Sequence, residues 1–577
     1  MIITAQVYTV CPACGTRDCI CKHRRQSSSM RIIQLHHVGV NFAGRELYRG
    51  LSLDIKDRDR IALVGANGAG KSTLFKLLLG EVAEDSGHIT RAPCTRIAGL
   101  PQDIELPADK TLLETALIKP PELAATEKTL TAIETRLADP AVYSDAARLA
   151  DTLAEHEAQL ADYEKMNGHR HASHVRELLA MLGFDEGDYA RRNDSLSGGQ
   201  KKLVALAQLA VAAPDLLLLD EPDNHLDLTG KHQLERFIHN YRGAVVIISH
   251  DRYLLDEVAT QTIELADGKL DIYHGNYSYY INERERRRLR QQQQYVTQQK
   301  EIARLEAMIE RFERWARQVL SRKHMLAARQ RRRMLQKMQG RGEIIEKVGE
   351  QRLMDFKVAG WRGSKNVLAL RGLCMAFDDE PLFMDADLLI RHGERVGIIG
   401  GNGAGKTVLL KLVLGELEPT LGEVKVGPSV RIGYYSQEHQ TLAGWLEKTP
   451  LELIRSRQNS SEANAVSFLL GMAFSYQQAH QPIRSLSGGE RSRLQLALVM
   501  LQEPNLLLLD EPTNNLDIAS VEVLEGALDD FVGTVVIVSH DRYFLDQTVD
   551  RLVELRAGEL REYQGGYTEY LQATGRL

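Results

Sequence analysis

Long hydrophobic runs are missing from this sequence of 577 residues. The longest candidate, Leu203 to Leu219, contains Pro214 and Asp215, whereas a membrane-spanning helix needs about 18 or more apolar residues in succession. The N-terminal residues also lack the basic start and apolar centre of a secretory signal peptide. Both absences predict a cytoplasmic protein without a membrane span.

Cysteine is scarce, and six residues are too few for a disulfide scaffold in a chain of this length. Four of them lie within eleven residues: Cys11, Cys14, Cys19 and Cys21. The first two have the Cys-x₂-Cys spacing of zinc sites, but only one residue separates the second two, which is unusual for zinc. Two interpretations stay open: a Zn²⁺ site built from the four thiolates, or an upstream extension without a fold, residues 1–29.

Proline is also sparse, at 16 residues, while 43% of the residues are apolar and 26% are charged. This composition excludes collagen-like, disordered and low-complexity chains, and the length predicts more than one domain. The formal net charge of −6 conceals an imbalance, because residues 281–340 contain 17 Lys and Arg but only 6 Asp and Glu. One short segment is therefore strongly basic.

The sequence repeats itself in two blocks. Residues 65–72 (GANGAGKS) recur as residues 400–407 (GGNGAGKT) at an offset of 335, whereas LSGG, DEP and SHD motifs recur further along at an offset of 290. The first copy is therefore 45 residues longer, between Gln102 and Ser197. Amphipathic runs from Leu123 to Leu137 and from Asp145 to Tyr163 predict a helical hairpin in this insert.

Each copy has a Gly-x-x-x-x-Gly-Lys-Ser/Thr motif after an apolar strand, which is typical of a phosphate-binding loop. Its glycines let backbone N–H groups face phosphates, its lysine supplies positive charge, and its Ser or Thr can ligate Mg²⁺. The candidate ATP-binding residues of the two loops are Gly65, Asn67, Gly68, Gly70, Lys71, Ser72, Thr73, Gly400, Asn402, Gly403, Gly405, Lys406, Thr407 and Val408.

Each copy also has the run Leu-Leu-Leu-Leu-Asp-Glu, which predicts a buried parallel strand ending in two carboxylates. The first carboxylate, Asp220 or Asp510, is placed to hold Mg²⁺. The second, Glu221 or Glu511, is placed to orient and polarise the attacking water. Together with the loops, these strands predict a nucleotide-hydrolysing site in each copy.

Two further pairs complete the candidate sites. His250 and His540 each follow a second apolar strand, and doubly wound α/β sheets bind ligands at the carboxyl ends of their strands. A contact with the γ-phosphate is favoured over an incidental histidine because a phosphate loop belongs to the same unit. Gln102 and Gln437 occupy matching positions, and only the whole pattern supports a role for them.

The LSGG motif between a phosphate loop and an Asp-Glu strand resembles the signature of ABC ATPases. Two such cassettes in one chain, each with Asp-Glu-Pro-x-Asn-x-Leu-Asp, resemble the F subfamily over about residues 31–572. The resemblance implies an α/β fold with two tandem P-loop ABC ATPase domains, an inserted helical-hairpin arm and a long helical interdomain linker. The implied domains are a Cys-containing extension (1–29), cassette 1 (30–279, with the arm at about 115–165), a basic linker (280–355) and cassette 2 (356–577).

The resemblance also implies an ATPase that uses ATP and Mg²⁺ and whose cassettes pack head to tail. It places Phe42 and Phe377 near adenine and the two glutamines near Mg²⁺ or water. The residues implied to cap ATP bound by the opposite cassette are Ser197, Gly199, Ser487 and Gly489, and Asp227 and Asp517 match the loop between cassettes. Two positions depart from the family pattern, Asp223 in place of Thr and Asn515 in place of His, and neither replaces a phosphate, metal or water contact.

The linker, from Tyr280 to about Glu350, contains no proline and has apolar residues at helical spacing, which predicts two long helices around Ser321. The candidate RNA-binding residues are Arg311, Arg314, Arg317, Arg322, Lys323, Arg329, Arg331, Arg332 and Arg333. A charge run is usually a solvated face, but acidic balance is missing after Glu313, which favours a polyanion bound by shape and phosphate.

The family resemblance makes this polyanion the ribosome with its rRNA and tRNA, bound by a monomer that regulates translation or protects ribosomes. Two alternatives stay open. A transporter motor with separate membrane subunits would need neither the basic linker nor the arm. A DNA-junction or repair ATPase of the same subfamily is compatible with the linker charge.

Overall fold

The computed structural model describes residues 7–9, 30–42, 45–93, 95–102, 104–119, 121–166, 168–319, 326, 329–333, 364–377, 380–436, 442, 444–458, 461–472, 474–514 and 516–575. The chain divides into two compact units. One contains residues 1–276 and 353–577, and the other contains residues 277–352.

The first half of the larger unit contains two sheets. Its described strands are β1 Val7–Thr9, β2 Arg31–Phe42, β3 Arg45–Lys56, β4 Arg60–Val64, β5 Ser86–Arg91, β6 Arg96–Leu100, β7 Leu216–Asp220, β8 Ala244–Ile248, β9 Gln261–Ala266 and β10 Lys269–Tyr273. One sheet has the order β1–β6–β7–β8–β4–β9–β10, with a parallel centre and antiparallel edges. The other, β3–β2–β5, is antiparallel.

The second half repeats this arrangement. Its described strands are β11 Asn366–Phe377, β12 Glu380–Arg391, β13 Arg395–Gly400, β14 Leu421–Val426, β15 Ile432–Tyr435, β16 Leu506–Asp510, β17 Thr534–Val538, β18 Arg551–Arg556 and β19 Glu559–Gln564. The order β15–β16–β17–β13–β18–β19 again has a parallel centre, with an antiparallel strand at one edge. An antiparallel sheet, β12–β11–β14, accompanies it.

Helices connect and cover these strands. In the first half they are Lys71–Leu79, Leu112–Ala116, Pro121–Leu137, Pro140–Tyr143, Ala146–Lys165, His171–Met181, Gly198–Val211, Leu228–Asn240 and Arg252–Val258. In the second half they are Lys406–Leu414, Pro450–Arg457, Glu462–Gly471, Tyr476–His480, Gly488–Met500, Ile518–Asp529, Arg542–Thr548 and Tyr567–Thr574. None of the helices in the described ranges is both long and apolar enough to cross a membrane.

The central strands are apolar along their whole length because both of their faces are buried. The four leucines of β7 and those of β16 are almost completely buried, as are β8 and β17. This confirms the strands predicted before the paired carboxylates and the histidines. Because parallel strands end at the same edge of a sheet, the phosphate loop, the carboxylates and the histidine of each cassette come together there.

The insert in the first cassette forms the predicted helical hairpin. Helices Pro121–Leu137 and Ala146–Lys165 pack against each other, with Ile133 buried and an ion pair between Arg136 and Glu155. The turn between them also contains a single helical turn, Pro140–Tyr143, which the prediction did not include.

The smaller unit begins with one helix of 43 residues, Tyr277–Val319, which confirms the first predicted linker helix. Leu326 and residues 329–333 are helical, whereas Ser321 and most of the second predicted helix lie outside the described residues. The guanidinium of Arg331 lies 4.7 Å from the ring centroid of Phe312. Residues 329–333 therefore return alongside the end of the long helix.

Candidate nucleotide-binding sites

Phosphate loop 1, residues 65–72, leaves the end of β4 and runs directly into a helix. Gly68 and Gly70 have φ angles of 79° and 102°, which glycine adopts without steric cost. Nζ of Lys71 donates a hydrogen bond to the carbonyl oxygen of Gly65 at 2.7 Å. The loop therefore brings backbone N–H groups, a helix N-terminus and an ammonium group to one surface, which suits a phosphate chain.

Phosphate loop 2, residues 400–407, repeats this geometry. Gly403 and Gly405 have φ angles of 80° and 101°, and Nζ of Lys406 donates to the carbonyl oxygen of Gly400 at 2.9 Å. Burial lowers the pKa of both loop lysines, and the nearby carboxylates oppose this effect. An anionic ligand would compensate these buried ammonium groups.

A carboxylate and a hydroxyl meet beside each loop. Asp220 at the end of β7 is hydrogen-bonded to Ser72, and Asp510 at the end of β16 is hydrogen-bonded to Thr407. Burial raises the pKa of both carboxyl groups despite these bonds, so their negative charge is incompletely compensated by the protein. Paired oxygen ligands of this kind fit Mg²⁺.

Glu221 is held by several donors. It accepts hydrogen bonds at Oε2 from Nε2 of Gln102 at 2.8 Å and from Nδ2 of Asn224 at 2.6 Å, and its Oε1 lies 3.4 Å from Nε2 of His250. Its φ of 48° is a strained conformation for a residue other than glycine. Burial raises the pKa of Glu221, but His250, Lys202 and Asn224 together outweigh burial, and the resulting pKa is lowered.

Glu511 has the same strained backbone, with a φ of 47°, but fewer donors. Its Oε2 accepts from the backbone N–H of His540 at 3.3 Å. Its Oε1 lies 3.6 Å from Nε2 of His540 and has no hydrogen-bond partner in the part of the chain that the structure describes. Burial raises the pKa of Glu511 to about 7. Burial, together with Lys406 and Lys231, lowers the pKa of His540 well below its ordinary value.

The LSGG motif of each cassette begins a helix. Oγ of Ser197 accepts from the backbone N–H of Gln200 at 3.2 Å, and Oγ of Ser487 accepts from that of Glu490 at 3.3 Å. A Cβ atom at Gly199 would lie 2.5 Å from the carbonyl oxygen of His225. The close approach of this backbone therefore requires glycine at position 199.

Side chains from each cassette contact the phosphate loop of the other. Oδ2 of Asp227 accepts from the backbone N–H of Asn402 at 3.3 Å, and the carbonyl oxygen of His225 accepts from the Asn402 side chain at 3.0 Å. In the other direction, Oδ2 of Asp517 accepts from the backbone N–H of Asn67 at 3.1 Å. The two cassettes therefore lie head to tail.

Most of the predicted site residues line one cavity of about 1260 Å³. We call the part with phosphate loop 1, Glu221 and Ser487 site 1, and the part with phosphate loop 2, Glu511 and Ser197 site 2. The predicted residues that line the cavity are Asn67, Gly68, Gly70, Lys71, Ser72, Thr73, Gln102, Ser197, Asp220, Glu221, His250, Phe377, Asn402, Gly403, Gly405, Lys406, Thr407, Val408, Ser487, Asp510, Glu511 and His540.

The remaining predicted residues have other placements. The carbonyl oxygens of Gly65 and Gly400 accept hydrogen bonds from Nζ of the two loop lysines. Gly199 lies beside a neighbouring cavity with Asn402, and Gly489 lies close to Ser520. Phe42 ends β2, and the placement of its side chain lies outside the described part, as do Gln437 and the four N-terminal cysteines. The zinc interpretation therefore stays a prediction, and no cluster of three or more His, Cys, Asp or Glu side chains that could hold a metal ion occurs in the described ranges.

Sequence reasoning missed two contacts of Glu221. Nζ of Lys202 donates to its carbonyl oxygen at 2.7 Å, and Asn224 donates to its carboxylate. Lys202 corresponds to Ser492 in the second copy at the offset of 290. A comparison of the two copies would have identified this lysine as a difference between the sites.

Two phosphate loops, each joined to a carboxylate-ended strand and faced by an LSGG helix from the other cassette, define the class of tandem-cassette ATPases. The ABC transporter family profile matches residues 48–224 and 383–514, and a second profile with the same description matches residues 263–358. The chain belongs to the ABC ATPase family, in its F subfamily, and it binds and hydrolyses ATP.

Three proteins illustrate the sequence similarity to this family. ABC transporter F family member 2 of Arabidopsis thaliana is 34% identical over 548 residues, covering 94% of this chain and 79% of that protein. ATP-binding protein Uup of Escherichia coli strain K12 is 33% identical over 550 residues, covering 93% and 82%. Energy-dependent translational throttle protein EttA of Haemophilus influenzae is 33% identical over 556 residues, covering 94% and 95%.

Solved structures share the fold. The archaeal ribosome recycling factor aABCE1, crystallised in complex with the archaeal ribosomal stalk protein aP1, is similar with a TM-score of 0.58 and 18% identity. The similarity covers 93% of this chain and 92% of that one. At this identity it supports the tandem-cassette architecture alone.

Proposed function

We propose that this chain is an ATP-dependent ribosome-binding factor that regulates translation or protects ribosomes. The observation that carries the proposal is the similarity to the energy-dependent translational throttle protein, which covers 94% of this chain and 95% of that one. Such coverage includes the linker as well as both cassettes. We place the protein in the cytoplasm, as a monomer whose cassettes pair within one chain.

The charge of the linker supports a polyanionic partner. We define the basic tip as the four exposed arginines Arg311, Arg314, Arg329 and Arg333. We propose that these side chains contact rRNA or tRNA phosphates, as in proteins that recognise RNA by shape. Of the other predicted RNA-binding residues, the Arg317 side chain, Arg322 and Lys323 lie outside the described part.

Arg331 and Arg332 have contacts within the linker. Arg331 lies over the Phe312 ring, and Nη2 of Arg332 lies 2.7 Å from Oε1 of Glu313. We infer that these two arginines hold residues 329–333 beside the long helix. The basic tip would thereby be presented as one cationic surface.

At each ATP site we assign one role to each repeated position. Lys71 and Lys406 bind the β- and γ-phosphates, while Asp220 with Ser72, and Asp510 with Thr407, hold Mg²⁺. When bound, Mg²⁺ supplies charge neutralisation at the phosphate oxygens. Glu221 and Glu511 orient and polarise the attacking water, with the paired glutamines beside them. His250 and His540 contact the γ-phosphate.

Bound ATP would then contact both cassettes and join them. Each site consists of a phosphate loop from one cassette and a signature helix from the other, so a bound nucleotide is fully enclosed only when the cassettes meet. ATP favours the closed arrangement by its differential affinity for it, and hydrolysis removes that preference. This cycle would determine how long the protein remains bound to the ribosome.

The test uses the Glu221→Gln/Glu511→Gln variant, which should stay closed with ATP, in co-sedimentation with purified ribosomes. Adding Arg311→Gln, Arg314→Gln, Arg329→Gln and Arg333→Gln should weaken ribosome binding. It should also reduce the salt dependence, by roughly 0.7 to 0.9 in log-log slope for each phosphate that the protein no longer neutralises. Glutamine keeps good helix propensity, so the helices should remain folded.

A matched control removes four exposed arginines from the cassettes: Arg176, Arg236, Arg371 and Arg457, each changed to Gln. This control has the same change in net charge and should bind ribosomes like the parent. Equal weakening by both sets would mean that net charge, and not the basic tip, drives binding. Preferential recovery of DNA or membrane proteins from nuclease-controlled pull-downs would overturn the ribosome proposal.

A further inference from the structure

The interface between the cassettes contains two buried ion pairs that mirror each other. Nη1 of Arg252 in the first cassette lies 3.2 Å from Oε2 of Glu525 in the second. Arg542 of the second cassette lies 2.5 Å from Glu235 of the first. The two arginines correspond at the offset of 290, and so do the two glutamates. The interface therefore has approximate two-fold symmetry.

Two neighbouring positions break this symmetry. Asp223 and Lys231 of the first cassette correspond to Thr513 and Val521 of the second. Both charged side chains are buried, and Nζ of Lys231 donates to Oδ2 of Asp251 at 2.8 Å. A buried charge is strongly destabilising unless it is paired. Asp251 supplies the ion pair of Lys231, and Asp223 adds a second acidic group whose attraction also raises the pKa of Lys231.

The added lysine also reaches the opposite cassette. Nζ of Lys231 donates a second hydrogen bond to the backbone carbonyl oxygen of His540 at 2.8 Å. At the corresponding position Val521 has no donor, so the carbonyl of His250 receives no equivalent bond from that residue. This contact therefore belongs to site 2 alone.

The N-terminal end of the helix that contains Lys231 makes a second contact with site 2. Helix Leu228–Asn240 begins after Asp227, whose Oδ1 accepts from the backbone N–H of Gly230 at 2.9 Å. Oδ2 of Asp227 accepts from Asn402 in phosphate loop 2. One turn of helix in the first cassette is thus bonded to both the phosphate loop and the histidine of site 2.

The electrostatics of the interface follow the same asymmetry. Burial raises the pKa of Asp251, but Lys231 and Arg542 reverse this effect and the resulting pKa is lowered. The corresponding residue of the second cassette, Asp541, keeps a raised pKa because burial outweighs its attraction to Arg252.

We propose that Lys231, paired with Asp251, is a positioning residue for site 2, which fixes the backbone of His540 only when the two cassettes are in contact. Hydrolysis at site 2 then depends on this bond between cassettes, whereas hydrolysis at site 1 does not. The inference rests on the roles proposed above for Glu221, Glu511 and His540.

The test measures each site separately by single-turnover hydrolysis of γ-labelled ATP. A Glu221→Gln background reports site 2, and a Glu511→Gln background reports site 1. The variant Asp223→Asn/Lys231→Met removes both buried charges while keeping similar side-chain shapes. In the site 2 background the rate constant at saturating ATP should fall by up to about 10-fold, the equivalent of one hydrogen bond. In the site 1 background it should fall by a smaller factor, because there Lys231 contacts Asp251, the residue after His250, and makes no bond to the histidine backbone.

Three comparisons keep the result specific. ATP affinity at site 2 should be unchanged, because Lys231 contacts the histidine backbone and not the nucleotide. A second variant, Asp223→Thr/Lys231→Val, carries the residues found in the second cassette and should act in the same direction if the first variant fails to fold. Equal slowing in both backgrounds, or no slowing in the site 2 background, would overturn the proposal.

A reference variant separates this proposal from the roles on which it rests. Glu221→Gln/Glu511→Gln should show no single-turnover hydrolysis. Hydrolysis by this reference would refute the assigned glutamate roles rather than the positioning role of Lys231.

Discussion

Gln102 donates a hydrogen bond of 2.8 Å to Glu221, joining the segment after β6 to the end of β7. Against burial, His250, Lys202 and Asn224 keep the pKa of Glu221 below its ordinary value. Burial instead raises the pKa of Glu511 to about 7. In the two ATP sites, the pKa of the carboxyl group proposed to polarise water is therefore shifted in opposite directions.

The first prediction concerns pH. A glutamate accepts a proton only when it is ionised, so a pKa near 7 makes the base less available as pH falls through 7. In the Glu221→Gln background, kcat/KM should fall about ten-fold per pH unit below that pKa and level off above it, since this ratio reports the free enzyme. In the Glu511→Gln background, the profile should stay flat at neutral pH. Superimposable profiles from the two backgrounds would contradict the prediction.

The second prediction separates binding from chemistry. Lys71→Ala and Lys406→Ala should weaken ATP binding at their own sites, because each removes a cation that faces the phosphates. Glu221→Gln/Glu511→Gln should retain ATP binding and lose multiple-turnover hydrolysis, since loss of one positioned electrostatic group typically costs about 10²–10³ in rate. Equilibrium binding and phosphate release measure the two effects, and wild-type turnover by the glutamine variant would place the catalytic carboxylates elsewhere.

The third prediction concerns the signature glycine of the first cassette. In Gly199→Ala, the new Cβ would meet the carbonyl oxygen of His225 at 2.5 Å, and this carbonyl accepts from Asn402 of phosphate loop 2. A displacement of about 1 Å near a reacting group can cost on the order of 100-fold in rate. We therefore expect a large loss of single-turnover hydrolysis at site 2.

Gly526→Ala provides the control for this substitution. Gly526 lies in helix Ile518–Asp529. Apart from its chain neighbours and the backbone of its own helix, no described atom lies within 4 Å of the position that its Cβ would occupy. Alanine should raise the free energy of unfolding by about 0.5–1 kcal/mol through helix propensity and leave hydrolysis unchanged. Loss of activity in both variants would show that the test is not specific for the signature.

The fourth prediction concerns the buried pair between Arg542 and Glu235. Arg542→Met should lower the free energy of unfolding by about 3–5 kcal/mol, because two buried carboxylates, Glu235 and Asp251, lose the guanidinium that pairs with both. The double variant Glu235→Leu/Arg542→Met should lose less than the sum of the single variants. Chemical denaturation of the four proteins in the cycle gives the coupling energy, and strict additivity would mean that the two side chains do not interact in solution.

Much of the fold could be predicted because short local patterns specify it. Four leucines before Asp220 and Glu221 require a strand that is buried on both faces, and glycines after β4 allow only a tight loop. Because the sequence is duplicated, each of these patterns occurs in both cassettes and supports the same assignment in each. These features depend on neighbours in the chain, so they can be derived without knowledge of tertiary contacts.

The interface could not be predicted in the same way. Lys231 and His540 are separated by 309 positions, and no local pattern indicates their contact. Asp223 is visible as a departure from the family pattern, but its partner emerges only when Lys231 is compared with Val521. The pKa difference between Glu221 and Glu511 depends on burial and on donors such as Lys202, which also come from distant segments.

Lys231 and Val521 occupy equivalent positions in two halves of a single polypeptide. In a homodimer, a substitution encoded once would appear in both active sites, and the sites would remain identical. Fusion of the two halves removes this constraint, so a buried lysine at one position can coexist with a valine at the equivalent position. Because the two cassettes are covalently joined, their two ATPase sites can evolve different roles.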